Sequence, residues 1–205
     1  MIKTYEKEGV FYAEIEGEII KQEDALEKLE NTAAKKIILK INSCGGDFIF
    51  ARDFYFALIN KNAKKIAEVD AACSSAAVLM AGCDKIKMSP ASFVMIHGIT
   101  MYDGINENNA ENIIETINSF NDVIANIYAK QTKEKTDAKQ FRAYMEKESV
   151  FDFRKMEELG FPVEYMDNLS LFNRNEKFVF NRYTVRNNGI KKKILMKRFL
   201  EMVKK

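Results

Sequence analysis

Three short stretches carry, in chain order, the residue types of an acyl-transfer site. Residues 41–46 read Ile-Asn-Ser-Cys-Gly-Gly, a glycine pair at the end of an apolar strand. Ser74 follows in Ala-Ala-Cys-Ser-Ser-Ala-Ala, and His97, the only histidine, in Val-Met-Ile-His. Adjacent glycines let the backbone take positive φ and let a ligand approach closely, and their N–H groups suit an oxyanion or a phosphate. A serine opening a helix can serve as nucleophile and an imidazole as its base. Each stretch alone has a plainer reading: a structural turn, an N-cap serine pair, a packing histidine. It is their occurrence together at element ends that points to chemistry, and no other stretch offers a competing set.

The surrounding pattern is that of an α/β protein. Val10–Ile20 alternates apolar with acidic residues as a half-buried strand broken at Gly17. A helix is expected over Gln22–Ala34, then a strand over Lys36–Ile41 that runs into the glycine turn, then a helix over Phe48–Ile59. Lys65–Val69 reads as the next strand and Ser74–Ala81 as the next helix. Short strands follow at Lys85–Met88 and Phe93–Ile96, with Pro90 in the turn between them. Strand–helix alternation of this kind implies parallel crossovers. A long helix over Asn106–Gln131 carries Ile113, Ile117, Phe120, Ile124, Ile127 and Tyr128 at helical spacing, widened by Ile114 and Val123. So broad a stripe on so long a helix is expected to bury something beyond its own domain, where an ordinary core helix is the plainer reading. Shorter helices are expected at Lys135–Met145 and Arg154–Leu159, the latter ended by Gly160.

Bulk composition narrows the classes. The chain has 205 residues, 47% hydrophobic and 30% charged, with net charge +2, 9 Gly and 2 Pro. That suits one globular domain with a substantial core and without long linkers. No apolar run reaches the roughly 18 residues of a membrane span, the start carries no signal core, and neither a membrane nor nucleic acid is expected as partner. Three cysteines (Cys44, Cys73, Cys83) form no CxxC pair, so a reduced, cytoplasmic protein without disulfide, metal or cofactor is expected. Residues 174–205 hold eleven Lys/Arg against two Asp/Glu. A basic amphipathic helix is expected around Lys191–Leu200, either merely solvated or contacting nucleic acid, an acidic partner or a neighbouring subunit.

The motifs also resemble a family. Ile-Asn-Ser-Cys-Gly-Gly-Asp, then Val-Asp-Ala-Ala-Cys-Ser-Ser-Ala-Ala-Val-Leu-Met-Ala-Gly-Cys-Asp-Lys, then Met-Ser-Pro-Ala-Ser-Phe-Val-Met-Ile-His are similar to the proteolytic subunit of the Clp protease. They are especially similar to its shorter, prophage-encoded ClpP-like relatives linked to head maturation. The resemblance spans about residues 10–165 and implies the ClpP/crotonase fold, stacked βαβ spiral units with a protruding handle helix at about 106–131. Residues 1–168 would form the protease domain and 169–205 a basic extension. It implies a Ser-His-acid endopeptidase, with Ser74 as nucleophile (Ser75 the alternative), His97 as base, Glu148 as third member (Asp152 the alternative), and the Gly46 and Ser75 N–H groups as oxyanion hole. Two departures stand out: Cys44 where the family usually has Pro, and Glu148 where the ring-forming subunits usually have Asp.

Assembly is implied as well: a homo-oligomeric ring, or a double ring interlocked by handles, acting on peptides or proteins and held partly by Ile113, Ile117, Phe120, Ile124 and Ile127. The short region before Val10 argues against docking to an ATPase unfoldase. Two other functions compete. A crotonase-type acyl-CoA enzyme would need no Ser–His pair, which the histidine at the family position argues against. A scaffold subunit with a decayed site would not need an activated serine.

Overall fold

The chain enters the sheet at its second residue. In the computed structural model, which describes residues 1–100 and 108–166, β1 (Ile2–Lys7) pairs antiparallel with β2 (Val10–Ile19). The hairpin closes on Glu8-Gly9, both at positive φ, the turn geometry that matches strand twist. Sequence pattern alone does not reveal this strand before Val10, because the alternation in Ile2–Lys7 is too short and too charged to stand out. The amino terminus is tied down by bonds to the Glu16 and Glu18 carbonyls.

Three successive βαβ units follow. α1 (Glu23–Asn31) joins β2 to β3 (Lys36–Gly46), α2 (Phe48–Ile59) joins β3 to β4 (Lys64–Cys73), and α3 (Ser75–Met80) joins β4 to β5 (Lys85–Ile96). Each unit links neighbouring parallel strands. The chain then runs through α4 (Ala110–Gln131), α5 (Ala138–Glu146), β6 (Ser149–Phe151), α6 (Phe153–Leu159) and β7 (Val163–Tyr165). The sheet order is β1-β2-β3-β4-β5-β6, with β7 also on β5. β6 and β7 are only three residues each, below the length at which sequence periodicity shows. β5 is continuous, but its two halves pair with β4 separately, around a bulge at Ser89–Ser92. Ser92 staples that bulge: its hydroxyl donates to the Val69 carbonyl at 2.6 Å and accepts from the Ser89 N–H at 2.9 Å.

One core holds the units together. Phe11, Ile15, Ile37, Leu39, Ile41, Phe54, Leu58, Leu79 and Ile86 are fully buried in it. On the opposite pleat of the sheet, the register lines up Lys3, Glu14, Lys40, Glu68, Lys87 and Glu164 across six strands. Alternating charge neutralises this row, with Lys40–Glu14 at 3.1 Å and Lys87–Glu68 at 3.7 Å.

The stripe on α4 divides in two. Among Glu111–Phe120 no residue is buried, and Ile114 and Val123 are 59% and 41% exposed. Beyond that, Ile124 and Ile127 are 4% and 8% exposed and belong to the core of their own chain, as do Ala125 and Tyr128. Phe120 sits between the halves and packs on Phe48 at 5.5 Å. The expectation that the whole stripe faces other subunits is therefore corrected. Ile124 and Ile127 are internal, and only Ile113, Ile114, Ile117 and Val123 remain for a partner. The expected helix start at residue 106 and the basic extension at 169–205, including the helix read at Lys191–Leu200, lie outside the described residues.

Candidate active site

Ser74 is held in a conformation that serines avoid. It has φ 56° and ψ −125°, between the end of β4 and the start of α3. Positive φ costs a non-glycine residue on the order of 1–3 kcal/mol and persists only where its surroundings impose it. Here the Ser74 N–H donates to the Met95 carbonyl on β5 at 2.8 Å, and the Ser74 carbonyl accepts from Ala77 N–H at 3.0 Å. The side chain makes no capping bond to α3, so the plainer N-cap reading fails. A sharp strand-to-helix turn that presents a serine hydroxyl is the nucleophile elbow of hydrolases. Ser75 differs: it is helical, 3% exposed, and its hydroxyl is buried without a hydrogen-bond partner.

The glycine turn packs directly on this elbow. Gly45 has φ +89°, and a Cβ there would lie 2.6 Å from the Cys73 carbonyl oxygen and 2.7 Å from Ser74 Cβ. Gly46, at φ +149°, would put a Cβ 2.1 Å from the Ile19 carbonyl oxygen. Both positions thus demand glycine, the first because of Ser74 and the second because of β2. Ser43 braces the turn by donating to the Gly17 carbonyl at 2.6 Å and accepting from Gly45 N–H at 3.0 Å. Asp47 then caps α2, accepting from Phe50 N–H at 3.1 Å.

Sheet register sets His97 and Glu148 side by side. Cys73 pairs with Met95, and Ile96 pairs with Ser149, so the next residues outward are Ser74 just after β4, His97 just after β5 and Glu148 just before β6. Three adjacent strand ends thereby bring the three expected residues to one edge. His97 is half-buried, and its Nδ1 lies 2.6 Å from the Gly98 carbonyl oxygen. A carbonyl can only accept, so Nδ1 carries the proton, and Nε2 keeps its lone pair. Burial lowers the pKa of His97, opposed by the Gly98 hydrogen bond and by the charge of Glu148. Glu148 is itself at positive φ, 50°, with its N–H bound to the Met145 carbonyl at 3.1 Å.

Asp152, the alternative acid, is occupied elsewhere. Its carboxylate caps α6 by accepting from Lys155 N–H at 2.8 Å. Cys73 is buried and its thiol pushed up to about 12 by desolvation, so it is an inert neighbour of Ser74. No group of His, Cys, Asp and Glu among the described residues could hold a metal ion. Sequence reasoning missed three supporting residues: Gly45 as the face against Ser74, Gly98 as the acceptor of the imidazole proton, and Asn121, described below. Asn121 left a signal, a polar residue set between Ile117 and Ile124 on an apolar helix face.

Comparison with family models gives the decisive match: the Clp protease model covers residues 9–166. The chain belongs to the Clp protease family. Its three βαβ units in succession are the ClpP/crotonase-like architecture expected from the motifs, and at the level of the family it is a ClpP-like peptidase. No curated protein matches the chain. No helix among the described residues is long and apolar enough to cross a membrane.

Proposed function

We propose that this member of the family is a serine endopeptidase with Ser74 as nucleophile, His97 as general base and Glu148 as the acid that stabilises the imidazolium. Ser74 Oγ attacks the peptide carbonyl while His97 Nε2 takes its proton. The Gly46 and Ser75 N–H groups receive the charge on the carbonyl oxygen, as the packing of the glycine turn on the elbow supports. The imidazolium then protonates the leaving amine, and water, activated by the same nitrogen, hydrolyses the acyl-enzyme. The observation that carries this reading is the strained Ser74 elbow, anchored on the same strand that ends in His97. Glu148 rather than Asp152 fills the acid role because Asp152 is committed to α6.

The exposed apolar residues of the outer α4 support assembly into a ring or a double ring around a chamber, where peptides or unfolded proteins reach the serines. β1, locked into the sheet, offers no free segment over Ile2–Lys7 to meet an ATPase unfoldase. The domain over 1–168 would carry this activity, with the basic stretch of 169–205 as an extension. The motif resemblance to prophage-encoded relatives supports a role in phage head maturation. The three cysteines, none of them in a disulfide, suit a reducing cytoplasm. Hydrolysis of a fluorogenic peptide library tests the reaction. The wild type should cleave, and Ser74→Ala should lose roughly 10⁶-fold of the rate, the size seen when a triad serine is removed. Equal cleavage by both proteins would refute it.

A further inference from the structure

Asn121 interrupts the apolar face of α4 at the point where the helix passes from its outer half into the core. It is 8% exposed, and its Oδ1 accepts from the Ile99 N–H at 2.8 Å. Its amide also lies close against Gly98, where an added Cβ would sit 3.3 Å from Nδ2 and 3.4 Å from Oδ1. The Ile99 N–H and the Gly98 carbonyl are two ends of one planar peptide group. Holding the N–H therefore aims the carbonyl, which points the opposite way in the same plane. That carbonyl is the acceptor of His97 Nδ1–H at 2.6 Å.

We propose that Asn121 is a positioning residue for His97, fixing through the Gly98–Ile99 peptide the tautomer in which Nε2 carries the lone pair that acts as base. The reason is geometric: rotation of that peptide removes the Nδ1 acceptor. The hydrogen bond that favours Nδ1–H is then lost, and the second tautomer has no lone pair where Ser74 needs one. Because Asn121 stands on α4, the tautomer depends on the seating of this helix against the core. The catalytic consequence rests on His97 being the base of the proposed peptidase; the tautomer itself does not.

The test uses the full 205-residue protein, in which the single histidine gives unambiguous imidazole nitrogen resonances. At a pH above the His97 pKa, the wild type should show the Nδ1–H tautomer. Asn121→Leu removes the acceptor at similar volume and should give mixed tautomers, with fluorophosphonate labelling slowed about 10- to 100-fold. Asn121→Asp keeps an acceptor oxygen and should restore both. Asn118→Ala, one turn away on the exposed face and bound to Arg142 at 3.2 Å, should change neither. An unchanged tautomer in Asn121→Leu overturns the proposal, as does an Asn121→Asp protein that behaves like the Leu variant. If Asn121→Leu does not fold, Asn121→Ser, whose hydroxyl is too short to reach Ile99 N–H, decides the same question. A tautomer shift in Asn121→Leu from a wild type that never labels supports the positioning link and refutes the peptidase reading instead.

Discussion

Replacing Gly45 by alanine separates steric contact at the elbow from backbone strain in general. Two costs apply. The first is the left-handed backbone, φ +89°, which an L-residue adopts at about 1–2 kcal/mol. The second is contact: the new methyl would lie 2.6 Å from the Cys73 carbonyl oxygen and 2.7 Å from Ser74 Cβ, far inside the separations of about 3.5–4.0 Å at which carbon pairs are stable. Neither neighbour is the tip of a flexible side chain, so the glycine turn must recede or the elbow must shift. A displacement near 1 Å at reacting atoms costs about 100-fold in rate. Gly9→Ala is the matched control, because Gly9 has φ +74° but nothing within 4 Å of its would-be Cβ. Gly9→Ala should therefore lose about 1–2 kcal/mol of stability and no activity. Gly45→Ala should lose about 1–3 kcal/mol more than that, the usual range for overpacking, and label with fluorophosphonate about 100-fold more slowly. Urea denaturation and labelling kinetics on both variants measure the two effects. Equal stability losses with an unchanged labelling rate for Gly45→Ala would refute the claim that this glycine faces the nucleophile.

Other perturbations give sharp contrasts. Ile124→Asp buries an unpaired carboxylate in the core and should destabilise the subunit by roughly 3–5 kcal/mol or unfold it. Ile114→Asp, on an exposed position, should leave the subunit folded and shrink the particle in sedimentation. Because His97 titrates below its ordinary value, the acid limb of the labelling rate should fall below pH 6.5, with activity lost as the ring gains a proton. Glu148→Gln should move that limb lower still, since the Glu148 charge raises the His97 pKa, while the plateau rate drops. Titration of the sole imidazole by NMR checks the direction, and a limb that moves upward contradicts the pairing. Stability carries the same sign: protons bind the unfolded chain more readily at His97, so its contribution is lost as pH falls through the unfolded imidazole value towards the depressed folded one. Asp152→Ala should cost about 1 kcal/mol through its lost cap and leave the labelling rate unchanged.

The parts of the fold that were legible in the sequence are those where local chemistry and tertiary demand agree. The apolar strand before Asn42, the glycine pair and the small-residue helix after Ser74 each announce themselves. The three residues brought to one edge by β4, β5 and β6 were legible as motifs. Their convergence was not, since it depends on the register of β6, a three-residue strand without periodicity. The stripe on α4 shows the limit most plainly. Ile117 and Ile124 look alike in the sequence, but only the depth of the fold beneath them makes one a surface residue and the other core. Similarly, Gly98 reads as an ordinary loop glycine until the imidazole proton is found on its carbonyl. The charged row from Lys3 to Glu164 is assembled from six strands, and no single stretch contains more than one member of a contacting pair.

The central claim is that Ser74 is an activated nucleophile and its neighbour Ser75 is not. Mapping a fluorophosphonate adduct by tandem mass spectrometry addresses it directly, because the two serines are adjacent and fragment ions between them are decisive. The elbow geometry, with Ser74 strained and uncapped and Ser75 buried in the helix, predicts a single adduct on Ser74 that is abolished in His97→Ala. An adduct on Ser75, or a folded wild-type protein that takes up no adduct at all, would contradict it.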